Sequence, residues 1–372
     1  GQNVYIPDAH FKSLCVSLYD TDGDNEVSTD EVADILIVSC KDMLISDLTG
    51  IEAFVNLRIL ECDKNLLTSL PDLSALTHLF KLTCTQNQLT HLPDLTVLTR
   101  LHELYASSNK LTRLPDLSTL ANLQYLDCSN NKLLSLPSLS GLTSLQTLNC
   151  GMNRLVSLPD LSGLTSLKHL DVGYNKLTSL PPELSTLYSL VGLSLSSNKL
   201  TSLPDLLDLT NLEYLNCSSN QLTSLPDLFS LTSLRHLLCP FNQLASLPVL
   251  PDTREGFNLN CSANQLTSLP ELPIYLVTLK CWLNLLTDAS CADLERYSTD
   301  NYYQRVELSE LPEPRRLSEF DPEAIVIEGI LNCPLSPGTK PYTPPFRRNC
   351  WGGPPLAPGV TVETLKIEGE RR

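Results

Sequence analysis

Basic residues, aromatic residues and long apolar runs are all scarce in this chain. Lys and Arg together number 26 against 42 Asp and Glu, a net charge of −16. Nucleic acids and anionic membranes draw affinity from positive charge, so neither is expected as the main partner. Calcium or a basic protein surface suits the balance better. No apolar stretch approaches the roughly 20 residues of a membrane-spanning helix, and the opening GQNVYIPDAHF lacks the charged and apolar regions of a secretory signal. Aromatic residues make up only 6% of the chain, so leucine has to fill the interior. The six His are scattered, and there is no nucleophile elbow, phosphate loop, paired zinc motif or HExxH. With no catalytic constellation visible, the expectation is a protein that is not an enzyme.

What the chain does have is a repeat. LQTLNCGMN, from Leu145 to Asn153, ends in an Asn whose counterparts stand at 65, 87, 109, 131, 175, 198, 220, 242, 264 and 284, a spacing of 22 almost throughout. A fixed period of that size marks a solenoid, in which no unit buries its apolar face alone and each stacks on its neighbours. Leu145, Leu148 and Cys150 should point inward from a short strand, and Asn153 should turn the chain. Leu155 and Leu158 then return to the core, and Pro159 starts a tight segment without helix. Counting an imperfect first turn at Ile35 to Met43, twelve turns result. LPPELSTL at 180–187 carries one extra residue and predicts a local bulge.

Nine of the 13 Cys (40, 62, 84, 128, 150, 217, 239, 261 and 281) share one slot, three residues before the Asn or, for Cys40, before its equivalent Met43. Ala106, Val172 and Leu195 fill that slot elsewhere, so it wants a small or medium apolar group, and buried free thiols are expected. Thiols pointing the same way from parallel strands suit a disulfide dihedral poorly.

The pattern LxxLxC/LxxNxLxxLPxL resembles the leucine-rich repeat family in its short bacterial form. SCKDMLISDLTGIEAF at 39–54 is similar to the first repeat of bacterial surface proteins of the internalin-like type. The resemblance implies an α/β fold, a right-handed β-α superhelix with a parallel sheet lining its concave face and Asn side chains bonded to the turn backbone. It divides the chain into an N-terminal cap at 1–34, the solenoid at 35–287 and a C-terminal cap or tail at 288–372.

Phe11, Leu14, Cys15 and Leu18 recur at helical spacing after Asp8, a natural N-cap, and predict a short capping helix. DTDGDNEVSTDE at 20–31 then resembles an EF-hand calcium loop. Asp20, Asp22 and Asp24 occupy positions 1, 3 and 5, Glu26 offers its carbonyl at 7, Ser28 stands at 9 and Glu31 at 12. Asn25 replaces the usual Gly, though Asn tolerates the left-handed conformation better than other side chains. The ion implied is a structural Ca2+ bracing the cap.

LPELP at 269–273 is similar to repeats of secreted bacterial effectors, some of which carry a Cys-dependent ligase domain. Cys291-Ala292-Asp293 bears a superficial likeness to its nucleophile, but the remaining tail is too short for that domain. AIVIEGIL at 324–331 and VTVETLKIEG at 360–369 alternate like strands. A Pro- and Gly-rich loop lies between them, bracketed by Cys333 and Cys350, the disulfide candidates if the protein is exported.

The outward strand residues sit at fixed offsets from the Asn. Among them Tyr105, Tyr125, His169, Tyr214 and His236, with Tyr174 and Phe241 immediately before the Asn, form an aromatic stripe suited to protein hot spots or to sugars. The function expected is non-enzymatic recognition of a protein, extracellular or of a host, by a secreted or bacterial surface protein through its concave face. A glycan-binding adhesin and an effector acting inside host cells are the alternatives.

Overall fold

The computed structural model describes residues 1–253, 255–281, 283–286 and 326–328. Twelve short strands, from Ile37–Ser39 to Leu276–Lys280, follow one another along a single parallel sheet in chain order, and Val326–Glu328 pairs beyond the last of them. The second candidate tail strand, Cys291, Cys333 and Cys350 lie outside the described residues.

The period in sequence becomes register in space. Leu82, Leu104, Leu126 and Leu148 are successive Cα partners along the sheet, and Leu170 and Leu193 continue the row. Alternation of side chains along a strand sends that central residue inward while its two neighbours face out. Most strands accordingly pair a buried middle residue with half-exposed flanks. Further leucines of each repeat form parallel rows behind the sheet, so Leu67, Leu73, Leu76 and Leu79 are fully buried within one turn. The return segments contain almost no helix. The predicted bulge is a five-residue 3-10 helix, Pro182–Thr186, which takes up the extra residue. At the shortened final repeats the register shifts between Phe257 and Asn258.

The Asn row does more than close its own turn. Each amide Nδ2 donates to carbonyls of its own turn and to a carbonyl of the preceding repeat, and each Oδ1 accepts a backbone N–H of the preceding repeat. Buried backbone groups that no strand could pair are satisfied in this way. The residue just before each Asn is left-handed at φ between 51° and 57° from Lys64 to Ala263, although none is Gly.

The cap consists of α1 (Ala9–Tyr19) and the single turn α2 (Thr29–Val32). Asp8 caps α1 by accepting from the backbone N–H groups of His10 and Phe11, while its other oxygen accepts from the N–H and hydroxyl of Ser46 in the first repeat. Phe11 and Cys15 are buried as their spacing required, but Leu18 is 60% exposed. Tyr19 takes the packing role instead, meeting Phe54 edge-on at 5.7 Å. Gly50, at φ 107°, admits the N-terminal segment: a Cβ there would stand 2.7 Å from Ile6 Cγ1 and 2.9 Å from the Tyr5 carbonyl.

Candidate binding surface

All ten described cysteines are buried and free, nine of them in one file along the sheet. Six of the nine, Cys62, Cys84, Cys128, Cys150, Cys239 and Cys261, point their thiols at strand carbonyls of the next turn, as Cys62 does toward Thr83 at 3.2 Å and Cys150 toward Asp171 at 3.5 Å. Burial pushes Cys15 and Cys40 up to about 12, and Cys281, at the end of the file, to about 11. These are packing groups held as neutral thiols, and the chemistry available to the chain lies on its surface.

That surface falls into two zones. Over the first turns, charges neutralise one another. Lys41 pairs with Glu61 at 2.9 Å and approaches Asp63 at 3.6 Å, and Lys81 pairs with Glu103 at 3.3 Å. Lys81 also lies over the Tyr105 ring, 5.7 Å from its centroid. Burial and the Glu103 carboxylate raise the Tyr105 hydroxyl above its ordinary value. Tyr105 is thus engaged within the protein, and Tyr125 lies half-buried on the next strand.

Toward the middle the face opens. His169 pairs with Gly192 and Gly192 with Tyr214, so no side chain separates the His from the Tyr. A Cβ on Gly192 would stand only 2.9 Å from the His169 ring. Tyr214 and His236 are register partners with ring centroids 6.1 Å apart. Burial, then Arg235, lowers His236 below its ordinary value. Along the left-handed row, Tyr174 is 62% exposed. Met152, at the same offset one repeat earlier, is 55% exposed and continues the apolar ridge. Sequence reasoning passed over Met152 because it looked for aromatics, although the offset alone would have found it. Phe241 is half-buried further along the row.

The Asp and Asn residues four before the repeat Asn have a different task. Asp127 accepts from Ser129, Asn149 from Gly151, Asp171 from Gly173 and Asn216 from Ser218, each closing a short turn after its strand. They stiffen the platform on which the aromatic groups stand.

In the cap loop, ligand-type oxygens of Asp20, Asp22 and Asp24 gather within 4.8 Å of one another. Gly23 and Asn25 take φ of 79° and 64°, so Asn25 adopts the left-handed conformation that Asn tolerates better than other side chains. Glu31 folds back on the loop, its oxygens accepting from Thr21 and from Ser28, and these bonds hold its carboxyl down at about 2. Glu26 directs its side chain to Lys12 at 2.6 Å. Among the described residues no cation pairs with Asp20, Asp22 or Asp24. A hard divalent ion fits this all-oxygen donor set and would relieve the repulsion between the three carboxylates.

A stacked parallel sheet with an open outward face, buried leucine and thiol rows and a helical cap defines a repeat-solenoid binding scaffold. The family of leucine-rich repeats in two copies matches residues 99–141, 121–164, 143–189, 188–230 and 210–252. The functional domain of InlJ from Listeria monocytogenes, which includes a cysteine ladder, is 30% identical over 75% of this chain and 70% of that one, with a TM-score of 0.60. The leucine-rich repeat protein LIC12759 of Leptospira interrogans is 26% identical over 72% and 83%, with a TM-score of 0.54. The internalin InlF of Listeria monocytogenes shares the fold at 21% identity over 81% and 90%, with a TM-score of 0.54. No curated protein matches the chain. The chain belongs to the leucine-rich repeat family, in its bacterial, internalin-like form. Proteins of this kind are protein-interaction scaffolds in general rather than enzymes. No helix among the described residues is long and apolar enough to cross a membrane.

Proposed function

We propose that this chain is a secreted or surface-exposed binding protein that recognises a protein partner, extracellular or on a host, through the open middle of its concave face. The observation that carries the reading is the apolar ridge of Met152 and Tyr174, solvent-exposed on turns that the Asn row holds rigid. Rigid aromatic groups lose little conformational freedom on binding and so return most of their buried area as affinity. His169, Tyr214 and His236 extend the same surface along the sheet. Tyr105 and Tyr125 border it, beside a zone whose charges already satisfy one another.

The test is binding of the purified chain to an array of extracellular proteins and glycans, with Tyr174→Ala and Tyr214→Ala beside the parent. Saturable binding to a protein that each substitution weakens by about tenfold, roughly 1.4 kcal/mol, supports the proposal. Binding confined to sugars would establish the adhesin reading instead. Protein binding indifferent to both substitutions would remove the concave face from the account, and a partner found only in host cytosol would favour an effector.

The cap loop is proposed to hold a structural Ca2+ through Asp20, Asp22 and Asp24, with the Glu26 carbonyl, Ser28 and Glu31 completing the set. When bound, the ion would neutralise the carboxylates and tie the loop to α2. Calorimetric titration of chelator-treated protein should show saturable calcium heat that Asp22→Ala removes. Absence of heat at millimolar calcium would overturn the assignment.

A further inference from the structure

The flank where the strands begin holds a basic cluster, against the acidic balance of the chain as a whole. Where the cap meets the first repeats, Asp34, Leu36, Asn56, Arg58, His78 and Arg100 line one cavity of about 240 Å³. Arg58, His78 and Arg100 come from three consecutive turns, so stacking at about 4.8 Å per strand brings them together although they are far apart in sequence. In a chain of net charge −16, two guanidinium groups here converge with neither within ion-pairing distance of a carboxylate among the described residues. Asp34 lines the same cavity and is its one acidic group.

The donors are arranged as well as charged. The amide of Asn56 is anchored on the Ala33 carbonyl at 2.8 Å, fixing the floor between cap and solenoid. Arg100 Nη1 lies 3.4 Å from His78 Nδ1. A guanidinium can only donate, so Nδ1 accepts and the ring hydrogen is on Nε2, a further donor. Beside these groups, Phe80 stacks on His102 with centroids 4.2 Å apart and planes 21° from parallel. His102 is fixed by its Nδ1–H, which donates to the Arg100 carbonyl at 2.8 Å. Phe80 keeps 40% of its surface exposed. The stack follows His78 and Arg100 by two residues on the same two turns, so an apolar platform adjoins the donors.

We propose that Arg58, His78 and Arg100 bind a sulfate or phosphate monoester carried on a saccharide whose ring stacks on Phe80. Forked guanidinium donors match the oxygens of a tetrahedral oxyanion, and Phe80, 40% exposed while stacked on His102, offers aromatic surface to the apolar side of a sugar ring. Asp34 disfavours binding of more than one anionic group and sets the site against an extended polyanion. The site lies apart from the concave surface and does not rest on the function proposed for that surface.

The experiment is calorimetric titration of the full chain with a sulfated disaccharide, its unsulfated parent, inorganic sulfate and inorganic phosphate. The sulfated sugar should bind about tenfold tighter than its parent, and Arg58→Ala or Arg100→Ala should each remove most of that advantage. Phe80→Ala should weaken the sulfated sugar while leaving inorganic sulfate unchanged. Arg235→Ala, whose guanidinium is paired with Glu255, should change nothing. The substituted side chains are exposed, so unfolding midpoints should stay with the parent's, within about 0.5 kcal/mol. Equal binding of sulfated and parent sugars, or an equal loss with Arg235→Ala, would overturn the proposal. Inorganic sulfate binding as tightly as the sulfated sugar would overturn the saccharide assignment.

Discussion

Asn153 reaches back 25 residues to the preceding repeat, where its Nδ2 donates to the Cys128 carbonyl at 3.0 Å while its Oδ1 accepts from the Leu133 N–H at 3.0 Å. The same Nδ2 also donates to the carbonyls of Cys150 and Gly151 in its own turn. One amide therefore joins two repeats through backbone groups that no strand can pair. Asn153→Ala leaves the buried Leu133 N–H and the Cys128 carbonyl unsatisfied, at a cost of about 3 kcal/mol. Urea unfolding should show a lower midpoint. Asn153→Asp keeps the acceptor but loses the donor, so it should rescue little. Parental stability in either variant would mean that water replaces the amide.

This bond explains why so much of the fold was legible in the sequence. Asn, central Leu and Cys slot each recur at one offset, and stacking turns an offset directly into a spatial row. Relationships that cross rows were not legible. Lys41 meets Glu61, and Arg58 shares a cavity with His78 and Arg100, only because different offsets lie side by side once the turns stack. The shared task of Asp127 and Asp171 was hidden for another reason: a carboxylate on an outward face reads as a binding group until its bond to the following turn is seen. Leu18 fitted the helical spacing, yet α1 ends one residue later, and Tyr19 covers Phe54 in its place.

Tyr174 carries a conflict between stability and binding. It holds φ 54°, a region that costs a bulky side chain about 1 kcal/mol, and Asn less. Tyr174→Asn should raise the unfolding midpoint slightly while lowering affinity for the protein partner proposed for the concave face. Met152, at φ 55° and also exposed, should behave the same way. Asn130 already occupies the slot with the tolerant residue, so Asn130→Tyr should destabilise. Stability unchanged in all three would show that the left-handed turn carries no strain.

Docking of the cap should depend on acid through Asp8. Burial raises its carboxyl, but bonds from the Phe11, Ser46 and His10 N–H groups and the Ser46 hydroxyl outweigh that and hold it below the ordinary value. A group depressed in the folded state contributes stability that is fully present above its unfolded value and is lost as pH falls through the folded one. Cap protection in hydrogen exchange should therefore be constant near neutrality and decline below about pH 4, the ordinary range for Asp. Asp8→Asn should flatten that decline and weaken the cap at neutral pH. An unchanged acid profile in Asp8→Asn would assign the decline to other carboxylates.

The thiol file gives a separate test of packing, because reactivity requires the thiolate and burial disfavours it. Cys15 and Cys40, pushed up to about 12, should resist alkylation of the native protein at pH 8 and react fully in urea. Cys281, raised less, to about 11, and standing at the end of the file, should be the first of the described thiols to be modified as the solenoid frays. Peptide mapping after timed alkylation follows each site separately. Val172 shows what the slot accepts, so Cys150→Val should fold with a cost of about 1 kcal/mol or less. Cys150→Ser places a hydroxyl where the thiol only grazes the Asp171 carbonyl at 3.5 Å, and should cost about 1–3 kcal/mol. If the Ser variant matched the Val variant in urea, the slot would be selecting for the hydrogen bond to the next turn rather than for apolar packing.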